Sequence, residues 1–163
     1  MKQIWAPWRT VYIGGGQQDR CIFCEKSESD RDEANLVLLK GERVFVLMNL
    51  YPYNNGHLLI APRRHVGNLE DLAEGEAAEL FKMTQKMIRA LRAFNPEGFN
   101  VGANIGRVAG AGVPGHFHVH VVPRWGGDTN FMPVLGDVKV ISESLEATYR
   151  KLKKSLAAID GKE

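Results

Sequence analysis

With 163 residues the chain is sized for one domain with a proper core, and its 44% hydrophobic and 25% charged residues are those of an ordinary soluble globular protein. A net charge of +2 is too small to argue for nucleic acid as a partner, and the basic runs Arg63-Arg64 and Lys153-Lys154 are separated and read as solvated faces. No apolar run approaches the ~18 residues of a membrane span, and the opening "MKQIWAPWRT" lacks the apolar core of a secretory signal, so a cytoplasmic location without membrane partners is expected.

Residues 1–35 read as an N-terminal arm, a cysteine turn and a charged surface loop; residues 36–163 hold the rest of a single structural domain. The only two cysteines lie in "CIFC", which is no disulfide framework. A close pair in a cytoplasmic chain points instead to metal or redox chemistry. A thioredoxin-like role needs the pair at a helix start within a βαβ order, and neither is expected here. "NLVLLKGERVFVLMNL" predicts two strands broken at Gly41-Glu42. "YPYNNG" is dense in turn formers, and "HLLIAP" is a third strand ending at Pro62. The longest helical pattern runs from Leu69 to Phe94, with Leu80, Met83, Met87 and Leu91 in phase, and Asn95-Pro96 stops it. "GFNVGANIG" is a fourth strand, "RVAGAGVPG" a glycine-rich loop, and "GHFHVHVVPRW" a fifth strand. Ser142 is expected to cap a last helix with Leu145, Tyr149, Leu152, Leu156 and Ile159 on one face. The order β-β-β-α-β-β-α with short links argues an α+β fold: an antiparallel sheet with a long helix and a C-terminal helix.

The fifth strand carries three of the chain's five histidines in strict alternation. Successive strand residues point to opposite faces, so His116, His118 and His120 share one side while Phe117, Val119 and Val121 enter the core. Three readings compete. The alternation could be incidental. The imidazoles could hold one catalytic metal, but His116 and His120 lie roughly 13 Å apart along a flat strand. Or one imidazole is a nucleophile flanked by neighbours that bind charge, since neutral imidazole attacks phosphorus and the product is labile enough to be an intermediate.

"HFHVHVV" resembles the His-x-His-x-His-x-x signature of the histidine triad superfamily. "FVLMNLYPYNNGHLLIAPRRH" and "NIG" before the glycine-rich loop are similar to its upstream blocks, and "CIFC" with "VVPRWGGDTNFMPV" to its bacterial diadenosine tetraphosphate phosphorylase branch. The resemblance covers roughly residues 1–135. It implies an enzyme that cleaves nucleoside polyphosphates by phosphorolysis or hydrolysis, with a nucleotide as substrate and a two-fold dimer as its assembly. His118 matches the nucleophile and His120 the residue that holds the phosphate oxygens. Asn104 matches a contact to phosphate or leaving group, and Asn49 a ribose contact. Amides of the "AGAGVPG" loop, Gly112 among them, can offer further donors, because glycine lets backbone approach a phosphate closely.

Two further assignments come with the resemblance. Zinc-bearing relatives, including galactose-1-phosphate uridylyltransferases, imply a structural zinc ion held by Cys21, Cys24, His65 and His116. Trp125 is either core or a stacking surface for a base, and the branch favours the second; Trp5 and Trp8 are expected to pin the arm. His57 stays outside the scheme, either as a surface or packed histidine or as a substrate contact. Residues 108–115 hold no Ser or Thr, unlike many members, so protonation of the leaving group has no hydroxyl to assist it. That favours a leaving group stable as an anion, such as a nucleotide, over an amine. Three other outcomes stay open: a transferase with another acceptor, a nucleotide-binding protein with little turnover, and a hydrolase in which zinc activates water.

Overall fold

The computed structural model describes residues 20–131, 135–136 and 140–161. Trp5 and Trp8 lie outside them. A short helix α1 (Ile22–Glu28) precedes β1 (Val37–Lys40), β2 (Val44–Met48) and β3 (Leu58–Pro62); helix α2 (Glu74–Leu91) follows, then β4 (Gly98–Gly102), β5 (Val119–Arg124) and helix α3 (Leu145–Asp160). The five strands form one antiparallel sheet in the order β1-β2-β3-β5-β4.

The sheet is covered on both faces, which explains why β2 and β3 are unbroken apolar runs rather than alternating ones. Val44, Val46, Met48, Leu58 and Ile60 face α2 and α3, where Leu80, Met87, Leu91, Leu152 and Leu156 close the main core. Phe45, Leu47, Leu59 and Ala61 face the other way, under Phe23 of α1. Phe117, Val119 and Val121 join the main core as expected. Helix α3 is pinned to the edge by the Tyr149 hydroxyl, which donates to the Val37 carbonyl at 3.0 Å, and to α2 by Ser155 Oγ on the Ala90 carbonyl at 2.9 Å.

Four local expectations need correcting. The first turn of the cysteine segment is a helix: Cys21 is the N-cap of α1 and Cys24 lies inside it. One of the two features of the thioredoxin reading is therefore present, although every strand pairing among the described residues is antiparallel. The helical pattern from Leu69 begins with a separate 3-10 turn, Leu69–Asp71, before α2 starts at Glu74; the Glu76 carboxylate accepts the Ala73 N–H at 2.9 Å there. The last helix is capped by Ser144, whose Oγ accepts the Ala147 N–H at 3.2 Å, and not by Ser142. The fifth strand begins only at Val119, because the Phe117 N–H bonds the Val66 carbonyl of a loop at 2.6 Å instead of a ladder partner. Extended backbone nonetheless preserves the alternation of the histidines.

Candidate active site and metal centre

Helix α1 lies across the histidine face at His116 and His118, while His120 stays partly exposed. The Phe23 ring sits 5.0 Å from that of His116 and 4.8 Å from that of His118, and His116 and His118 are 0% and 6% exposed. Each imidazole then has its tautomer set by a different neighbour.

His118 directs Nδ1 at the His116 carbonyl, 2.8 Å away. A carbonyl only accepts, so Nδ1 carries the hydrogen and the lone pair of a neutral ring sits on Nε2. Burial holds the His118 pKa below its ordinary value, which keeps the ring neutral near pH 7. A nucleophilic nitrogen therefore needs no prior deprotonation.

His120 is set by a longer chain that starts on the backbone. The Tyr53 N–H donates to His57 Nδ1 at 3.0 Å, so the hydrogen of neutral His57 is on Nε2. That Nε2 donates to His120 Nδ1 at 2.9 Å, which leaves His120 with its hydrogen on Nε2. Burial and the neighbouring histidines lower His57 to about 3 and His120 to about 4, so both rings are neutral well below pH 7. His120 Nε2 is buried and has no hydrogen-bond partner among the described residues. An N–H left in that state costs about 1–3 kcal/mol, a cost that an incoming anionic oxygen relieves. His57, 1% exposed, thus belongs to the site that sequence reading left it out of. Its signal was the strand register: Leu59 pairs with His120, so His57, two residues before Leu59, falls on the histidine face.

The other expected contacts are distributed around this centre. Asn49 lies beside His57, with Nδ2 3.3 Å from His57 Nδ1 and Oδ1 accepting the Tyr51 N–H at 2.9 Å. Asn104 follows β4, whose Gly102 pairs with His120, and its Nδ2 approaches the Gly110 carbonyl at 3.4 Å. Gly112 is exposed on the same loop, after Gly110 with φ of +92°. Trp125 stands at the far end of β5 from His118, and its ring N–H donates to the Phe94 carbonyl at 3.2 Å.

Cys21, Cys24, His65 and His116 converge, with one donor atom from each lying within 4.8 Å of the others. Cys21 Sγ is 3.3 Å from His116 Nδ1, Cys24 Sγ is 3.6 Å from the same atom, and Cys24 Sγ is 3.4 Å from His65 Nδ1. Bonds of about 2.3 Å to sulfur and about 2.0 Å to nitrogen at a tetrahedral angle put such atoms roughly 3.5 Å apart, so the donor set fits zinc. His116 Nε2 donates to the Pro62 carbonyl at 2.8 Å, which frees Nδ1 as a ligand and fixes the ring, as second partners of metal histidines do. Burial and the neighbouring Cys21 push the Cys24 thiol up to about 11, a penalty on the thiolate that a divalent cation removes.

The HIT domain family matches residues 31–127, which span all five strands, the long helix and the histidine run. The chain belongs to the HIT domain family. It is 43% identical over 161 residues to the "AP-4-A phosphorylase" of Mycobacterium tuberculosis, covering 93% of this chain and 83% of that protein. A shorter match, 38% over 78 residues, is to the asymmetrical bis(5'-nucleosyl)-tetraphosphatase of Schizosaccharomyces pombe, covering 47% of this chain and 42% of that one. Among solved structures, a zinc-bound histidine triad family protein from Mycobacterium smegmatis superposes with a TM-score of 0.72 at 28% identity, over 88% of this chain and 97% of that one. As a HIT protein the chain thus carries the α+β fold that its sequence implied.

Proposed function

We propose that this HIT protein cleaves dinucleoside polyphosphates through a nucleotidyl-His118 intermediate, with inorganic phosphate as the acceptor. The observation that carries the reading is the pairing of His118 Nδ1 with the His116 carbonyl, which leaves Nε2 as an uncommitted nucleophile in a covered site. The phosphorylase name of the mycobacterial relative supports the acceptor.

Nε2 of His118 attacks the α-phosphorus, and the bond from that phosphorus to the bridging oxygen breaks. The bridging oxygen leaves with its electron pair on the second nucleotide, an anion that needs no proton from a missing Ser or Thr. The positive charge on His118 is met by the His116 carbonyl at Nδ1, and the His120 Nε2–H faces the charge on the phosphoryl oxygens. A phosphate oxygen then attacks the same phosphorus and the bond to Nε2 breaks, restoring neutral His118. Asn49 is assigned to the ribose, and Asn104 with the Gly112 amide to the departing phosphates. Trp125 takes a substrate base only if its ring turns from the Phe94 carbonyl.

Product analysis tests the reading. Diadenosine tetraphosphate incubated with phosphate is expected to give ADP and ATP. AMP and ATP would make water the acceptor, as the tetraphosphatase relative's name has it, and no cleavage would remove the enzymatic reading.

Zinc is assigned to Cys21, Cys24, His65 and His116 as a structural ion: with four protein ligands it has no open position from which to activate water. Two free cysteines at such a site require a reducing compartment, which supports a cytoplasmic location, and no described helix is long and apolar enough to cross a membrane. A homodimer is also proposed. β4 is an edge strand with Asn100, Val101 and Gly102 exposed, and a second copy pairing along it would satisfy its outer backbone groups. Light scattering at micromolar concentration is expected to give twice the chain mass; a monomer would count against this assembly.

A further inference from the structure

Beyond His120 the histidine face continues into a trough that nothing above has used. On β5, Val122 and Arg124 follow His120 on the same side, and their partners on β4 are Asn100 and Gly98, after Gly102 opposite His120. A side chain at Gly98 or Gly102 would meet nothing within 4 Å, so the floor is open from His120 onward. The trough ends in a cavity of about 250 Å³ lined by Tyr53, Asn54, Asn100, Val122, Arg124 and Thr129. That volume suits a fragment smaller than a drug-sized ligand.

Its walls are fixed in advance. Arg124 donates from Nε and Nη2 to the two Asp128 oxygens at 2.6 and 3.0 Å and from Nη1 to Asn100 Oδ1 at 2.7 Å. Asn54, 7% exposed, donates to the Pro123 carbonyl at 3.0 Å and to Asp128 at 2.7 Å. The Tyr53 ring packs parallel to His120 at 5.6 Å yet is 56% exposed, so it carries an aromatic surface from the catalytic centre towards the cavity.

We infer that this trough seats the second nucleoside of a dinucleoside substrate, its base against Tyr53 and its polar edge against Arg124 and Asn100. This rests on the cleavage reading given above. The charge argues for a nucleoside over a bare phosphate. Asp128 neutralises Arg124, so little net positive charge is left to draw an anion. What remains is a flat aromatic ring, an amide and the outer N–H groups of a guanidinium, the set that stacks on a base and reads its edge. The reach agrees as well. Arg124 is four residues past His120, roughly 13 Å along a strand, a span that a polyphosphate bridge of several units covers.

The test compares two ligands that share a tetraphosphate: diadenosine tetraphosphate, and adenosine 5′-tetraphosphate, which lacks the second nucleoside. Affinities are measured on zinc-loaded protein carrying His118→Ala, so that neither ligand turns over. The dinucleoside is expected to bind about tenfold tighter, as one stacked base contributes. Arg124→Gln and Asn100→Ala should each remove most of that margin and leave the affinity for the mononucleoside in place. Asn100→Ala keeps the Arg124–Asp128 pair intact, so it reports even if Arg124→Gln loosens the loop. Equal affinities for the two ligands in the parent, or a parallel loss of both in the variants, would overturn the inference. Failure of the cleavage reading shows separately, as absence of turnover in the wild type, and does not alter these affinities.

Discussion

His118→Ala lowers turnover of diadenosine tetraphosphate by roughly 10⁴-fold or more while the nucleotide still binds, as losing a covalent nucleophile does. The size of the effect follows from how little else in the site can replace it. His120 presents an N–H rather than a lone pair, His116 points its Nδ1 at the cysteines, and His57 is locked between Tyr53 and His120. Water would have to attack phosphorus directly, with only the donors that stabilise charge left to help. The substitution also removes a ring that Phe23 packs against, so the melting temperature must be followed alongside. A folded variant that binds nucleotide, forms no nucleotidyl-protein and turns over almost nothing is the expected result. Activity within about tenfold of the wild type would sink the assignment.

The second large effect is expected from the metal. Protein purified without chelator should carry about one zinc per chain, and Cys21→Ser and Cys24→Ser should each lose it. A structural ion worth ~3 kcal/mol or more corresponds to a fall in melting temperature of roughly 10 °C for a domain of this size. Activity should fall with it although an ion with four protein ligands has no position open to substrate. His116 is the link: its ring is a ligand and its carbonyl holds the Nδ1 hydrogen of His118. Helix α1 is the other link, since Cys21 and Cys24 flank Phe23, and Phe23 covers the nucleophile. Loss of activity on chelation with no change in melting temperature would contradict a structural role, and metal-free native protein would remove the site altogether.

The strands and the long helix were legible because each is set by a local pattern: two apolar runs around Gly41-Glu42, a turn cluster before "HLLIAP", and a helical phase ended by Asn95, which adopts a left-handed φ of +51°. Helix α1 was not, because seven residues give too little periodicity to separate a helix from a turn. Ser142 and Ser144 are equally good caps on paper; only the position of the first helical turn selects Ser144. In the site, the separate duties of the three histidines could be assigned from resemblance, and the donor distances around Cys21 and Cys24 agree with that division. The part played by His57 depends on strand register and on which ring nitrogen carries a hydrogen, and neither is written in residue order.

That last dependence has a practical side. The orientation of the His57–His120 pair is set at its origin chiefly by a main-chain amide, that of Tyr53 at 3.0 Å, with Asn49 Nδ2 farther off at 3.3 Å. Side-chain scanning through residues 51–55 is blind to such a group, and so is any comparison of aligned sequences, because every residue except proline supplies it. An exchange of Tyr53 for another non-proline residue removes a ring and keeps the instruction; an ester in place of that one amide keeps the ring and leaves only the longer contact from Asn49 to give it. In this site the placing of a proton is tied to the peptide bond at Tyr53 and the seating of a base to its ring, two duties of one residue that separate chemically.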